Sequence, residues 1–192
     1  MFRDGAVTVS WPNCKFDGKE VLRSGQLTLS PGCSLVSGDS GIGKTTMLRA
    51  IAQNNSKVRS ILVFQEPTLL PWLTLEENLA LVSKEHKEAV RWLESFGLSN
   101  CLGLRPGQMS LGMQRRSAIV RGLMAKPDVL LLDEPSASLD QVNIDRLLDC
   151  LLEIIQLRKI PILLVSHQVE HFERLNAKQF YLEGSPASVS EI

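Results

Sequence analysis

Short apolar runs alternate with helically spaced apolar residues along most of the chain. Near its start, Val7, Val9 and Trp11 alternate with polar residues, which predicts an edge or antiparallel strand. A similar alternation over residues 26–29 predicts a second strand of this kind. Uninterrupted apolar runs are typical of strands that are buried in a parallel sheet. Such buried strands are predicted at residues 33–37, 60–64, 129–132 and 162–165, and a last short strand is predicted at 179–182.

Helical spacing of apolar residues fills the intervals between these runs. Thr74 is the expected N-cap of one helix, and Gly97 is the expected stop of the next. Strands that alternate with helices indicate an α/β fold with a largely parallel sheet. Residues 67–108 carry no strand pattern, so we expect a helical insertion there. Three further helices are predicted over residues 45–52, 114–124 and 144–157.

The length of 192 residues suits one domain, and the composition narrows its partners. Lysines and arginines number 21, as do aspartates and glutamates, and this lack of a basic excess argues against a nucleic-acid partner. No apolar run approaches the roughly 20 residues that span a bilayer. Residues 1–10 also lack the pattern of a secretory signal, so we expect action at a membrane only through a partner. The dispersed cysteines predict buried, reduced thiols: Cys14, Cys33, Cys101 and Cys150.

Residues 38–45 match the pattern G-x-x-x-x-G-K-[ST] between a predicted strand and a predicted helix. The glycines let backbone N–H groups wrap a phosphate, and the positive end of the following helix adds to the attraction. Lys44 is expected to reach the β- and γ-phosphates of ATP, and the Thr45 hydroxyl to bind Mg²⁺. The expected nucleotide contacts of this phosphate-binding loop are Gly38, Asp39, Ser40, Gly41, Ile42, Gly43, Lys44, Thr45 and Thr46.

Polar residues with chemical functions follow two of the apolar strands. Asp133 and Glu134 end the run at 129–132, which places them at the carboxyl edge of the sheet, where such folds bind ligands. Asp133 is expected to hold Mg²⁺, directly or through water, and Glu134 to polarise the attacking water as general base. His167 follows the next apolar strand and is expected to sense the γ-phosphate, whereas His86 and His171 are expected on helix surfaces.

Residues 109–116 read Met-Ser-Leu-Gly-Met-Gln-Arg-Arg, which resembles the signature L-S-G-G-Q, or L-S-G-G-M-Q-Q-R, of ATP-binding-cassette (ABC) ATPases. The resemblance covers essentially the whole chain. It implies a P-loop NTPase with a RecA-like core, a small antiparallel portion and an inserted helical subdomain. The core would comprise residues 1–65 and 115–192, and the signature subdomain residues 66–114. Gln65 then resembles the residue that senses Mg²⁺ and water, residues 137–140 with Asp140 resemble the D-loop, and His167 resembles the switch histidine.

The same resemblance implies a second ATPase subunit, either a copy of this chain or a paralogue. The two would pair head to tail, with each ATP between the phosphate-binding loop of one subunit and Ser110 and Gly112 of the other. In the family, an aromatic residue upstream of the loop stacks on adenine. By spacing, Phe16 is the better candidate and Trp11 the alternative, although core packing explains either residue equally well.

Membrane partners are also implied by the resemblance, because the family couples ATP turnover to multi-spanning permease subunits that dock near the loop that follows Gln65. Here that segment reads Glu-Pro-Thr-Leu-Leu-Pro-Trp over residues 66–72. Its apolar residues predict either a docking surface or packing beneath the helical subdomain. The stretch Leu-Leu-Pro-Trp resembles the corresponding stretch in importers of nitrate, sulfonate and taurine, and a substrate-capture protein is a further partner that this resemblance implies. We therefore expect a cytoplasmic ATPase on the inner face of the cell membrane that powers import of a small solute.

Three departures from the family pattern favour a trimmed cassette. Leu111 replaces the first glycine of the signature, residues 53–59 form a short link where antiparallel strands are usual, and the chain ends near Ile192 without room for a regulatory domain. Three alternatives therefore remain open at this stage. They are a soluble ABC ATPase without a transport role, a short exporter cassette, and a binding module that has lost hydrolysis.

Overall fold

The computed structural model describes residues 5–54 and 57–191, and it has the predicted alternation of strands and helices. Residues 1–4, 55, 56 and 192 lie outside the described residues, and with them parts of the 1–10 segment and of the 53–59 link, and the position Ile192. The described strands are β1 (Val7–Trp11), β2 (Cys14–Phe16), β3 (Lys19–Leu22), β4 (Gly25–Leu29), β5 (Gly32–Ser37), β6 (Ser60–Val63), β7 (Val129–Asp133), β8 (Pro161–Val165), β9 (Lys178–Gly184) and β10 (Ala187–Glu191). The described helices are α1 (Lys44–Asn54), α2 (Leu75–Ala80), α3 (His86–Ser95), α4 (Leu111–Met124) and α5 (Gln141–Arg158), with 3₁₀ segments at Pro106–Gln108 and Val169–Leu175.

Eight strands form one sheet in the order β2-β3-β10-β9-β5-β8-β7-β6. Its pairs from β9 through β5, β8 and β7 to β6 are parallel, and so is the short pairing of β10 with β3. The β2–β3 and β9–β10 pairs are antiparallel, and β1 and β4 form a separate antiparallel pair. The predicted α/β fold with a mostly parallel sheet and a small antiparallel portion is confirmed.

Both faces of the central strands are covered, which explains their uninterrupted apolar runs. On one face, Leu131 and Leu163 pack with Met47 of α1 and with apolar residues of β1. On the other face, Leu130 and Leu132 pack with apolar residues of α2, α3, α4 and α5. Because successive side chains of a strand point to opposite faces, neighbouring leucines of one run belong to different layers of the core. The predicted helical insertion therefore shares its core with this second face of the sheet.

Several predicted boundaries were wrong in detail. The strand predicted at 179–182 is not the last, because β9 turns back into β10. β2, β3 and β10 escaped the sequence pattern because they are short and largely exposed, so that no apolar run marks them. α4 begins at Leu111 rather than at residue 114, because the side chain of Ser110 caps it. The predicted N-cap at Thr74 is confirmed, with a complete capping box to Glu77.

None of the helices within residues 5–54 and 57–191 is long and apolar enough to cross a membrane.

Candidate functional site

Three strand ends meet at one edge of the large sheet. β5, β8 and β7 are parallel neighbours, so their carboxyl ends lie side by side. In the register of the sheet, Val165 of β8 is opposite both Val36 of β5 and Asp133 of β7. The phosphate-binding loop after β5, Glu134 after β7 and His167 after β8 consequently converge at this edge.

The phosphate-binding loop has a backbone that glycine adopts far more readily than other residues. Gly38, Gly41 and Gly43 have φ angles of 151°, 79° and 113°. A side chain at Gly38 is also excluded by space, because its Cβ would lie 2.6 Å from the carbonyl oxygen of Leu182. The loop can therefore bring its backbone N–H groups close to a bound anion at the start of α1.

Lys44 lies across the inside of this loop. Its Nζ atom donates to the carbonyl oxygens of Gly38, at 2.8 Å, and Asp39, at 3.0 Å. The Glu134 Oε1 atom lies 3.9 Å from the same Nζ atom, and the lysine side chain is only 7% exposed. A buried ammonium whose nearest partners are neutral carbonyls favours an additional anion beside it, as a phosphate group would be.

Thr45 and Asp133 form the second contact of the site. The Thr45 hydroxyl donates to Asp133 Oδ1 at 3.0 Å, which joins the start of α1 to the end of β7. Burial raises the pKa of Asp133, while the hydrogen bond from Thr45 opposes that rise. A hydroxyl and a carboxylate oxygen at this spacing are the oxygen ligands that Mg²⁺ accepts, with phosphates and water completing the shell. Thr45 and Asp133 therefore fit the cation that the loop pattern implies.

Glu134 occupies a strained position directly after β7. Its φ angle is +44°, which is uncommon for a residue other than glycine. The side chain is buried and accepts from Ser166 Oγ at 3.1 Å and from the His167 backbone N–H at 3.4 Å. The ring Nδ1 of His167 lies 3.0 Å from Glu134 Oε1. These contacts orient the carboxylate towards Lys44, across the space where the terminal phosphate is expected.

Gln65, Ser110, Gly112 and Asp140 lie outside this cluster. Gln65 is exposed just beyond the end of β6, on the same edge of the sheet. Ser110 Oγ accepts from the Met113 backbone N–H at 3.3 Å, and Asp140 caps α5. Among the described residues, no hydrogen bond joins these two helix starts to the phosphate-binding loop. One chain therefore presents its signature residues at the start of α4, apart from its own phosphate site.

The two aromatic candidates differ in exposure. Trp11 is 3% exposed, its indole Nε1 donates to the Arg23 carbonyl at 2.8 Å, and its ring packs against Gly25. Trp11 is therefore a core residue, and the hypothesis that it stacks on adenine is wrong, because its ring is not accessible to a ligand. Phe16 is 71% exposed on β2, so it alone of the two presents a ring face to a ligand.

Ser166 and Arg115 lie around Glu134 and were missed by sequence reasoning, and His171 was misassigned. Ser166 lies directly before His167, and that position beside a strand end was the available signal. Arg115 on α4 donates to the backbone after Glu134. His171 is half-buried rather than on a helix surface, because its Nδ1 lies 3.0 Å from the hydroxyl of buried Ser136. His86 is exposed at the start of α3, as predicted.

Three of the four cysteines are buried and all four are free thiols, in accordance with the prediction. Cys14 departs from it, because this residue is only half-buried on β2.

The loop after Gln65 combines buried and exposed apolar residues. Leu69 is buried, whereas Trp72 is 66% exposed. Asn78 of α2 is fully buried and holds the loop: its Oδ1 accepts from the Leu70 N–H at 2.8 Å, and its Nδ2 donates to the Leu70 carbonyl at 3.2 Å. Further Nδ2 bonds go to the carbonyls of Leu73 and Thr74. The loop is thus rigidly attached to the helical insertion while its tryptophan faces outwards.

Comparison with known proteins agrees with this geometry. The ABC transporter family model matches residues 52–137. An aliphatic sulfonates import ATP-binding protein of Pseudomonas aeruginosa is 37% identical over 196 residues, which cover 88% of this chain and 78% of that protein. A protein of the same description from Bacillus subtilis is 33% identical and covers 97% of this chain and 84% of its own length.

Solved structures show the same fold. A dimeric bacterial ABC transporter cassette matches 90% of this chain and 93% of its own, with a TM-score of 0.75 and 25% identity. A putative metal-chelate type ABC transporter in an inward-facing conformation matches with a TM-score of 0.80 at 19% identity, over 97% of this chain and 83% of its own.

Proposed function

Because this chain belongs to the ABC transporter family of ATP-binding subunits, we propose that it hydrolyses ATP with Glu134 to power import of a small solute through separate membrane subunits. ATP binding and hydrolysis are the activity of this family. The observation that carries the assignment is the meeting of Lys44, Thr45, Asp133, Glu134 and His167 at one edge of the sheet.

Each of these side chains has a distinct part in the proposed reaction. Lys44 and the loop N–H groups neutralise the negative charge that develops on the transferred phosphoryl group. Glu134 accepts a proton from the water that attacks the γ-phosphorus. His167 contacts Glu134 and keeps it correctly placed relative to the γ-phosphate. Phe16 stacks on the adenine ring. Thr45, Asp133 and Gln65 are the proposed ligands of Mg²⁺, which would neutralise phosphate charge when bound.

The remaining proposed nucleotide contacts belong to a second subunit. Ser110, Gly112 and Asp140 lie at the starts of α4 and α5, apart from the phosphate-binding loop of their own chain, and this placement supports contact with the ATP of a partner cassette. The relative with 25% identity and the same fold is dimeric, which supports this pairing. We infer a head-to-tail dimer with a copy of this chain or with a paralogue.

The loop of residues 66–72 is the proposed contact with a permease subunit on the inner face of the membrane. Trp72 is exposed, whereas Leu69 packs beneath the loop, so the two interpretations left open by the sequence apply to different residues. A rigid loop with an exposed tryptophan suits a protein interface, since aromatic anchors contribute most where they enter a partner's pocket.

A sulfonate or a related small anion is the proposed cargo. The relatives at 32–37% identity are import subunits for aliphatic sulfonates. A separate capture protein would select the solute, because the residues around Glu134 contact the nucleotide rather than the cargo. These relatives favour import over export or a role outside transport.

Turnover by a Glu134→Gln variant tests the proposal. Removing the general base should lower kcat by about 100-fold or more while the Lys44 contacts still bind ATP. The trapped ATP should hold the variant as a dimer, measurable by size-exclusion chromatography with ATP and Mg²⁺. Glu94→Gln, an exposed position on α3, is the matched control and should behave as wild type. Equal rates for wild type and Glu134→Gln would refute catalysis by Glu134.

A further inference from the structure

The turn after Glu134 is held in an unusual conformation. Glu134 and Ser138 both have left-handed backbone angles, with φ of +44° and +58°. The residues between them, Pro135, Ser136 and Ala137, are all buried. Left-handed conformations of residues other than glycine persist only where surrounding contacts determine them. Contacts made to residues 135–137, hereafter the catalytic turn, are therefore also contacts that set the direction of the Glu134 side chain.

His171 holds the catalytic turn from one side. Its Nδ1 atom lies 3.0 Å from Ser136 Oγ, and Ser136 is only 1% exposed, so the histidine satisfies a hydroxyl that water does not reach. The 3₁₀ segment that carries His171 is anchored by its neighbour Phe172, which is buried in the core. The same segment begins just after His167, which contacts Glu134 directly.

Arg115, on α4, holds the catalytic turn from another side. Its Nη1 atom donates to the carbonyl oxygen of Pro135, at 3.4 Å, and to that of Ala137. The side chain is 7% exposed, and within residues 5–54 and 57–191 no carboxylate lies within ion-pair distance of it. The buried cation is therefore directed at the turn itself. Since α4 starts at the signature residues, Arg115 also connects that segment with the turn beside Glu134.

We propose that His171 and Arg115 are positioning residues for ATP hydrolysis, which clamp the catalytic turn and thereby hold Glu134 where it activates water. This inference rests on the proposed role of Glu134. Neither side chain touches the reacting atoms, so each acts through the turn. A displacement of about 1 Å in a catalytic group lowers a rate by up to about 100-fold, so loss of either contact should slow the chemical step.

A double-mutant cycle between Ser136 and His171 tests the clamp. Ser136→Ala and His171→Leu should each lower kcat by about 10-fold, and the double variant should be no slower than the singles, because one contact is lost in all three. The KM for ATP and the affinity for a non-hydrolysable ATP analogue should stay within about twofold of wild type. His171→Asn, whose side-chain amide can still bond to Ser136, should recover most of the rate.

Arg115→Met tests the clamp independently of Ser136 and His171. His86→Asn is the matched control for the His171→Asn variant. Arg115→Met should lower kcat without weakening binding of the analogue, whereas His86→Asn, at an exposed helix start, should leave kcat unchanged. Amide hydrogen exchange of residues 134–139 in the nucleotide-free chain should accelerate in the Ser136, His171 and Arg115 variants.

The outcomes separate the clamp from a general structural role and from the proposed function. Unchanged kcat in the His171→Leu variant, or a loss that equals its loss of ATP affinity, overturns the clamp. Additive effects of Ser136→Ala and His171→Leu overturn it as well. If wild type hydrolyses no ATP, the proposed function fails, and unchanged exchange at residues 134–139 then overturns the clamp separately.

Discussion

Two adjacent carboxylates have different partners although they are consecutive in the chain. Asp133 is the last residue of β7 and accepts from Thr45, whereas Glu134 turns away in a left-handed conformation to meet Ser166 and His167. The change of backbone conformation between them sends the side chains to different neighbours. One carboxylate is therefore suited to a cation and the other to a water molecule, which is how a single Asp-Glu pair can serve two functions.

The buried thiols give a prediction about pH. Burial raises the pKa of Cys33 and of Cys150 to about 12, so both stay protonated when an exposed thiol would ionise. The folded chain thus retains protons that the unfolded chain releases, and stability falls as the pH rises above the ordinary thiol pKa. Cys14 is only half-buried, whereas the other three cysteines are buried. With iodoacetamide at about pH 8, we therefore expect Cys14 to be the main site of alkylation in the native protein.

Mass spectrometry of the alkylated peptides measures this, with the protein unfolded in guanidinium as control. All four cysteines should react in the unfolded chain. Native labelling of Cys33 or Cys150 as fast as in guanidinium would contradict the burial seen here.

At the scale of elements, the starts of helices α4 and α5 are joined. Ser110 and Asp140 each cap their own helix, and the side chain of Asn143 links the two. Asn143 donates to Asp140 and lies against Gly112, while Arg116 donates to its Oδ1. The signature segment and the D-loop are thus parts of one packed unit. Movement of one helix start on binding of a partner's nucleotide should therefore displace the other.

Gly112→Ala tests how closely these helices pack. A Cβ atom at this position would lie 2.6 Å from Asn143 Oδ1 and 2.8 Å from its Cγ, and Asn143 is held by Asp140 and Arg116. We expect a loss of about 1–3 kcal/mol in the free energy of unfolding, because overpacking forces the two helices apart.

Urea denaturation of the nucleotide-free protein measures this loss. Gly103→Ala is the matched control, since a Cβ there meets nothing within 4 Å and the change should be close to neutral. Equal stability of Gly112→Ala and Gly103→Ala would show that the helix starts adapt.

At the scale of the whole molecule, the loop of residues 66–72 is connected to the edge of the sheet that carries Glu134 in two ways, through the chain itself and through α4. Along the chain, Gln65 follows β6 at this edge of the sheet, and Trp72, seven residues later, is exposed to solvent. Arg121 of α4 donates to Thr68 at 2.9 Å and contacts Asn78, so the helix that begins at the signature also holds this loop. If nucleotide binding moves α4, these contacts would pass the movement to the proposed permease contact.

Trp72→Ser tests this surface. Because Trp72 is 66% exposed, its loss should change the free energy of unfolding by no more than about 0.5 kcal/mol and leave ATP hydrolysis by the isolated subunit intact. Retention of the subunit on membranes that contain its permease should fall by about 10-fold or more, as expected for an aromatic anchor.

Sedimentation of the subunit with such membranes measures retention. Leu157→Ala, another exposed apolar residue at the far end of α5, is the control and should bind as wild type. Undiminished retention of Trp72→Ser would exclude the loop as an anchor.

The sequence by itself determined the features that depend on neighbouring residues. Apolar runs identified the buried strands, Thr74 marked a helix start, and the loop of residues 38–45 implied a phosphate site, because backbone geometry and capping are local properties. Strand ends of a parallel sheet share an edge, so Asp133, Glu134 and His167 could also be brought together in advance.

Only the tertiary structure decided which side chains meet across long separations in the chain. Trp11 and Phe16 look alike in sequence, but packing against Gly25 buries one ring and leaves the other exposed. Ser136 and His171 are 35 positions apart, and their contact depends on how β8 returns the chain to the end of β7. Such contacts leave no periodic trace, because they arise from the order of strands in the sheet rather than from the spacing of residues.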